Sequence, residues 1–511
     1  MSRRSPFTQP PSSQQTDDHF AGYRAAIDTL NALMQTPGAS RDSSPVAIRA
    51  RAQKRLDRVS TFLAFLGNPQ SSYAVVHVGG TSGKGSTSVA IAGMLTAGGY
   101  RTGLHTSPYL QAATEKLQVN GVLISGSAFR ALVDEAIERA ARWLTKTRQS
   151  EPLTYGEIWI ALTFLYFARE RVDLAVIEVG AGGRFDLTNI VRPAVSVITS
   201  IGLDHTVTLG PTVPEIAWHK AGIIKDAVPV VTAVTNPAAL QPILDESVLR
   251  RAPVIRVIPD ETFQVIHLGP TNSSWRERNT DGVLGPTLST ALPGEIQVTN
   301  AATAVAAVRS LHDRGFAVSI DALRTGMAAS RLPGRVEQMP VTPPPAVLID
   351  GAHNPQKMCA VAIDLSRLLQ TETSSGRPVA VVGSIQGKDI SAMLECLIPH
   401  VSAIVGTRAE VEGKESAAPE EIVVAAREAG FSGRLGTARK PQDAVDLARQ
   451  WANDSHVPIV VIGSLFLAGE VRNRWYPLQA IVTERTSWPQ SRPFNDESAT
   501  TLSLGKPGPT R

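Results

Sequence analysis

Residues 75–87 read Val75-Val76-His77-Val78-Gly79-Gly80-Thr81-Ser82-Gly83-Lys84-Gly85-Ser86-Thr87, and an Ala-rich stretch of helical character follows. An apolar strand, a glycine loop, a lysine and then hydroxyl residues at a helix start is how backbone N–H groups and one ammonium surround a polyphosphate. Glycine lets the backbone come close to phosphate oxygens, Lys84 supplies a point charge, and Ser86 or Thr87 offers a hydroxyl to Mg2+. The spacing departs from the commonest phosphate loop. Val78 stands where a first glycine is usual, and Gly85 separates Lys84 from Ser86. The plainer alternative is a glycine-rich turn that carries a lysine. The position between strand and helix favours a nucleotide site.

Working outward, the 511-residue chain is long enough for more than one domain with a sizeable core. Its 43% hydrophobic and 19% charged residues describe a soluble globular protein. A formal charge of +4 is small for this length. No long basic run with interleaved aromatics argues for nucleic acid as a partner. The two cysteines, Cys359 and Cys396, sit in apolar surroundings without metal-ligand spacing, which suits a reducing compartment and excludes a disulfide framework. The N-terminus lacks the apolar core of a secretory signal. The longest apolar run, Val457–Ala468, is too short to span a bilayer and contains Gly463 and Ser464. A cytoplasmic protein without a membrane partner is expected.

Residues 1–18 and 487–511 are polar and are expected to be disordered. Helical spacing between Phe20 and Leu66 predicts two helices around a loop from Thr36 to Ser44. From Tyr73 on, apolar runs alternate with helical stretches, the pattern of an α/β fold with a mostly parallel sheet. Predicted strands are Ala74–Val78, Leu174–Val179, Val195–Ser200, Pro229–Val234 and Val254–Val257, with a surface excursion at 271–281. A second α/β series starts after Arg331-Leu332-Pro333-Gly334, with strands Ala346–Asp350, Val379–Gly383, Ala403–Gly406 and Ile459–Gly463. These expectations divide the chain into a first domain over 19–328 and a second over 329–486.

Ligands of open α/β sheets bind beyond the carboxyl ends of the strands, and here those ends carry chemistry. Leu174–Ile177 terminates in Glu178, a carboxylate placed to hold Mg2+ beside a phosphate loop; an N-cap or ion-pair role is the alternative. Val195–Ser200 leads to Asp204-His205, and Thr102–His105 to Thr106-Ser107-Pro108. In the second domain Val347–Ile349 ends in Asp350-Gly351-Ala352-His353-Asn354-Pro355, an acid, imidazole and amide able to hold ribose or phosphate. Two such domains imply a cleft between them.

These residues together resemble the Mur-ligase superfamily and, within it, the folylpolyglutamate synthase/dihydrofolate synthase branch. Gly79–Thr87 is similar to the family's Gly-Thr-Asn-Gly-Lys-Gly-Ser loop, with Ser82 in place of Asn. Leu104–Leu110 is similar to its Thr-Ser-Pro-His-Leu segment, with Tyr109 in place of His. Further blocks align in order over about residues 50–475, among them Glu178–Asn189, Ile198–His205, Glu215–Lys225, Pro333–Glu337, Asp350–Pro355 and Gly387–Asp389. Ile296 stands where the family usually has His. The resemblance implies a P-loop-containing, Mur-ligase-type N-terminal domain and a smaller Rossmann-like α/β C-terminal domain, with ATP between them. It implies that Ser107 and Glu178 hold one Mg2+, that His205 holds a second, and that Lys220 is carbamylated to help place that second ion. It assigns nucleotide contacts to Gly80–Thr87, Asn300, Arg335, Asp350 and His353, and gives Thr154 and Asp186 places lining the dihydropteroate site. The implied reaction is ATP-dependent ligation of L-glutamate to a folate, and of dihydropteroate to dihydrofolate, through an acyl phosphate, by a monomer. The competing readings are a Mur-type ligase acting on another carboxylate and a non-catalytic ATP-binding protein.

Overall fold

The computed structural model describes residues 13–35, 44–148, 151–269, 271–279, 281–341, 345–369, 376–411 and 413–490. The strand Ala74–Gly79 runs down the middle of an eight-stranded sheet, and the helix Lys84–Ala97 begins at the lysine itself. Leu174–Glu178 and Val195–Ile198 flank that strand, both parallel to it. Helices cover both faces of such a sheet, so its strands are continuous apolar runs rather than alternating ones. Leu174–Glu178 is buried along its whole length. The full order is Val122–Leu123, Gln118–Val119, Thr102–His105, Leu174–Glu178, Ala74–Gly79, Val195–Ile198, Val230–Thr232, Val254–Arg256. All pairings are parallel except the short hairpin at the first edge. Val78 is level with Glu178, Gly79 with Ile198, and His105 with Ile177. That register delivers the phosphate loop, Ser107, Glu178 and the loop to His205 at one edge.

The second domain holds a six-stranded sheet in the order Glu337–Gln338, Val347–Ile349, Ile459–Ile462, Val379–Val382, Ala403–Gly406, Arg434–Thr437. It is parallel but for the first strand. Arg434–Thr437 was not among the predicted strands, because an edge strand lacks the apolar run that marks an interior one.

Five expectations need correction. The segment 271–281 is no excursion: Phe263–Leu268, Ser273–Arg278 and Leu284–Thr290 form a separate antiparallel sheet. It buries Phe263, Trp275 and Leu288 in the cluster that includes Met94, Val197 and Val305. The first helix, Ser13–Ala32, begins inside the stretch expected to be disordered, whereas residues 1–12 lie outside the described residues, as do 36–43 of the predicted loop. At the other end the helix Leu478–Glu484, counted with the second domain, puts Ile481 and Val482 into the first domain's core beside Tyr23, Leu30 and Phe62. Ser487–Gln490, assigned to the disordered tail, lie packed on the body, where the Trp488 indole N–H donates to Glu337 (2.8 Å); residues 491–511 lie outside the described residues. Finally, Cys359 on the helix Pro355–Leu368 and Cys396 on Ile390–Leu397 are joined as a disulfide. Nothing local in sequence links positions 37 apart.

Candidate active site

The phosphate loop is sewn to the end of Val195–Ile198. Thr81 N–H donates to the Ser200 carbonyl (2.6 Å), and the Thr199 hydroxyl donates to the Ser82 carbonyl (2.6 Å). Glycine is required twice by this close approach. A Cβ on Gly80 (φ 140°) would lie 1.9 Å from Thr199 Oγ1, and one on Gly83 (φ 87°) 2.2 Å from Asn300 Oδ1. Gly83 occupies the N-cap position, so the first amides of the helix stay open at its positive end. Thr87 is turned away, its hydroxyl donating to the Asn300 carbonyl at 3.4 Å.

Glu178 is buried and accepts the Ser107 N–H at 3.1 Å. Burial pushes its carboxyl above the usual range, against the opposing pull of Lys84 and that N–H. Lys220 is buried and donates to the Gly80 carbonyl at 2.7 Å. Burial, reinforced by Lys84, pushes its ammonium well below the usual lysine range. His205 has left-handed backbone (φ 52°) at the head of the short helix Thr206–Leu209. Burial lowers its imidazole too, aided by Lys388, Lys84 and Lys220 and opposed by Asp204. Asp204 accepts from Lys388 Nζ (3.3 Å) and from Asn354 Nδ2 (3.2 Å), both in the second domain. Burial alone would raise the Asp204 carboxyl, but His205, Lys388, Lys357 and His353 together hold it well below the carboxylate range.

From the second domain, both carboxylate oxygens of Asp350 accept backbone N–H groups, from Val336 (2.9 Å) and Ala352 (2.7 Å). The acid thereby folds the turn that carries Arg335. Burial pushes Asp350 up, with Arg335 opposing. His353 Nδ1 lies 2.8 Å from the Gly351 carbonyl, which can only accept, so Nδ1 carries the hydrogen and Nε2 is the acceptor. Burial, then Lys357, pushes the ring down to about 3.

These groups enclose a cavity of about 370 Å³ between the domains, within the range of small-molecule sites. Its wall takes in Gly80, Thr81, Ser82, Gly83, Lys84, Gly85, Ser86, Ser107, Glu178, His205, Lys220, Asn300, Arg335, Asp350 and His353. Thr154 and Asp186 lie off that wall. Thr154 heads the helix Tyr155–Arg169, its N–H donating to Glu157 (2.6 Å) and its hydroxyl accepting from Arg55 (3.4 Å). Asp186 accepts from Ala181 N–H (3.0 Å) and Thr188 N–H (2.9 Å). No group of three or more His, Cys, Asp or Glu able to hold a metal ion occurs among the described residues. Ser107 and Glu178 offer instead two hard oxygens, the sparse set with which Mg2+ is held jointly with substrate phosphates. Sequence reasoning passed over Asp204, Lys388 and Lys357. Asp204 adjoins His205, and Lys357 lies one helical turn beyond His353, a spacing that could have flagged it.

Comparison with known proteins follows the two domains. The Mur ligase middle domain model matches residues 78–308, and the C-terminal domain model of dihydrofolate synthetase matches 339–474. The dihydrofolate synthase/folylpolyglutamate synthase of Bacillus subtilis is 33% identical over 430 residues, 82% of this chain and 94% of that protein. The solved folylpolyglutamate synthase (FPGS) of Mycobacterium tuberculosis complexed with ADP superposes with a TM-score of 0.76 at 31% identity, covering 88% of this chain and 98% of that one. A solved FPGS–AMPPCP–folate complex gives 0.71 at 29% identity, with 88% and 98% covered.

Proposed function

This chain belongs to the folylpolyglutamate synthase/dihydrofolate synthase family of Mur ligases and is an ATP-dependent ligase of that kind; we propose that it joins L-glutamate both to tetrahydrofolates and to dihydropteroate, acting as a cytoplasmic monomer. The observation that carries the reading is the convergence of Lys84, Glu178 and His205 from one domain with Arg335, Asp350 and His353 from the other on a single cavity.

A carboxylate of the folate substrate attacks the γ-phosphorus of ATP, and ADP leaves. The amine of glutamate then attacks the acyl phosphate, and phosphate departs through a tetrahedral intermediate. The obstacle is charge, because a carboxylate must approach a polyanion. Lys84, the amides of the loop and Arg335 offset that repulsion where the transferring group sits, so positioning and electrostatics suffice without a protein nucleophile. Ser107 and Glu178 would hold one Mg2+, and His205 with a carbamylated Lys220 would hold a second; such ions would supply neutralisation of the phosphoryl charge. Carbamylation joins a neutral amine to CO2 with loss of one proton, and the lowered Lys220 pKa favours that amine. Asn300 and Arg335 contact the nucleotide, while Asp350 and His353 bring the second domain to it and keep water from the acyl phosphate. Thr154 and Asp186, off the main cavity wall, border the pterin end of the substrate.

The test supplies purified protein with Mg-ATP and glutamate, and with dihydropteroate or tetrahydrofolate separately, and follows product mass. Each acceptor is expected to gain a glutamyl residue with release of one phosphate. No gain with either acceptor refutes the ligase assignment, and gain with tetrahydrofolate alone removes the dihydropteroate activity.

A further inference from the structure

We propose that Lys357 is a further phosphate ligand of this enzyme, reaching the terminal phosphates of ATP from the second domain while Lys84 reaches them from the first. The proposal rests on the ATP-dependent reading of the cavity. Lys357 lies in the first turn of the helix Pro355–Leu368, its N–H capped by Asn354 Oδ1 at 2.9 Å. A cation there faces the positive end of the helix dipole, where an anion belongs. The side chain lines the same cavity as Lys84 and Arg335. Among the described residues none of these three forms an ion pair with a carboxylate, whereas Lys388 nearby is paired with Asp204. Burial, followed by the repulsion of Lys84 and then Arg335, pushes the Lys357 ammonium down to about 7. Of the carboxylates on the same wall, Glu178, Asp204 and Asp350 are engaged by backbone N–H groups or by Asn354 and Lys388. Three cations without an ion pair thus share one cavity, a local conflict of the kind folded proteins keep at functional sites. A polyanion resolves it.

The geometry also says how the ammonium is held. His353 Nε2, fixed as an acceptor by the Nδ1–H to Gly351 contact, takes one hydrogen of Lys357 at 3.1 Å. Two of its three N–H donors remain for a ligand. Lys84 opens the helix behind the phosphate loop and lines the same cavity as Lys357, which directs both toward the phosphate end of the nucleotide. The recognised chemistry is therefore the β,γ end of a triphosphate rather than the nucleoside.

The experiment compares wild type with Lys357→Met and Lys357→Arg, titrating ATP and AMP calorimetrically with Mg2+ and no folate, and melting the nucleotide-free proteins. Lys357→Met is expected to bind ATP about 10- to 100-fold more weakly, the loss of a charged hydrogen bond. AMP affinity should stay within about twofold, and the nucleotide-free variant should melt no lower than wild type, since a repelling charge is gone. Lys357→Arg should recover most of the ATP affinity. A merely structural lysine predicts the reverse: a lower melting temperature with equal losses for ATP and AMP. That result, or unchanged ATP affinity in Lys357→Met, overturns the proposal while leaving the cavity assignment intact. Wild type that binds no ATP overturns both.

Discussion

Replacing Gly83 by alanine probes whether the phosphate loop and Asn300 work as one device, and the same helix supplies its own control. Gly83 precedes the helix Lys84–Ala97 with φ 87°, and Gly99 follows it with φ 90°. Each position costs an L-residue about 1–2 kcal/mol in backbone strain. A methyl on Gly99 meets nothing within 4 Å, whereas one on Gly83 lies 2.2 Å from Asn300 Oδ1 and 2.9 Å from its Cγ. Asn300 or the loop must therefore give way by about an ångström to restore ordinary contact. Asn300 has little room to do so, because its amide donates to Gln297 (3.1 Å) and its backbone is buried in the helix Glu295–Ser310. Misplacing a nucleotide-binding loop by that amount costs about 100-fold in rate. Gly99→Ala should lose about 1–2 kcal/mol in denaturant unfolding, and Gly83→Ala at least as much. Gly99→Ala should keep turnover within about twofold, whereas Gly83→Ala should fall about 100-fold, read as ADP release at saturating folate and glutamate. Equal turnover in the two variants would refute the argument, since they share the strain and differ only in the clash.

Lys84→Ala removes the loop's point charge and should lower turnover by at least about 100-fold; near-normal ADP release would contradict the phosphate assignment. Arg472 is fully buried and grips Glu337 with Nε and a terminal nitrogen, at 2.8 Å each, while donating to the Ser487 carbonyl at 2.7 Å. Arg472→Leu leaves a largely buried carboxylate with only the Gly334 and Trp488 N–H groups, a loss of about 3–5 kcal/mol. Adding Glu337→Leu should recover much of it, and a single variant within about 1 kcal/mol of wild type would remove the buried-pair argument. His77 is fully buried in the central strand, and burial pushes its ring from 6.5 to about 3. The unfolded chain thus binds the extra proton between those values, so the stability seen above pH 6.5 is lost progressively as pH falls toward 3. His77→Gln should flatten the plot of urea-unfolding free energy against pH by about 1.4 kcal/mol per unit within that window, and an unchanged slope would place the proton elsewhere.

What could be read in the chain follows from where each signal resides. Ala74–Gly79, Leu174–Glu178 and Val195–Ile198 are buried on both faces, so each is a legible apolar run, and its end exposes the next few residues as the candidate site. Lys84, Glu178 and His205 were found in this way. The strand Ser273–Arg278 escaped because Trp275 is its one large apolar residue, between two serines and three consecutive charges, and one inward tryptophan does not announce a sheet. Leu478–Glu484 reads as apolar, yet Ile481 and Val482 carry no mark of which core receives them.

Asp204 shows the deeper reason why the site was legible only in halves. Beside His205 it reads as a solvated acid, and its role appears only when Asn354 and Lys388, 150 and 184 positions onward, close on its carboxylate. Lys357 is the converse, a lysine in a first helical turn that local rules disfavour and that makes sense only against Lys84 across the cleft. Groups that serve one domain obey local pattern, so their purpose can be inferred from neighbours in sequence. Groups that join two domains violate it or hide within it, because the partner that stabilises them is supplied by tertiary structure alone. The cations of this cleft belong to the second kind, and their mutual repulsion is relieved by whatever anion draws the two domains onto one phosphate chain.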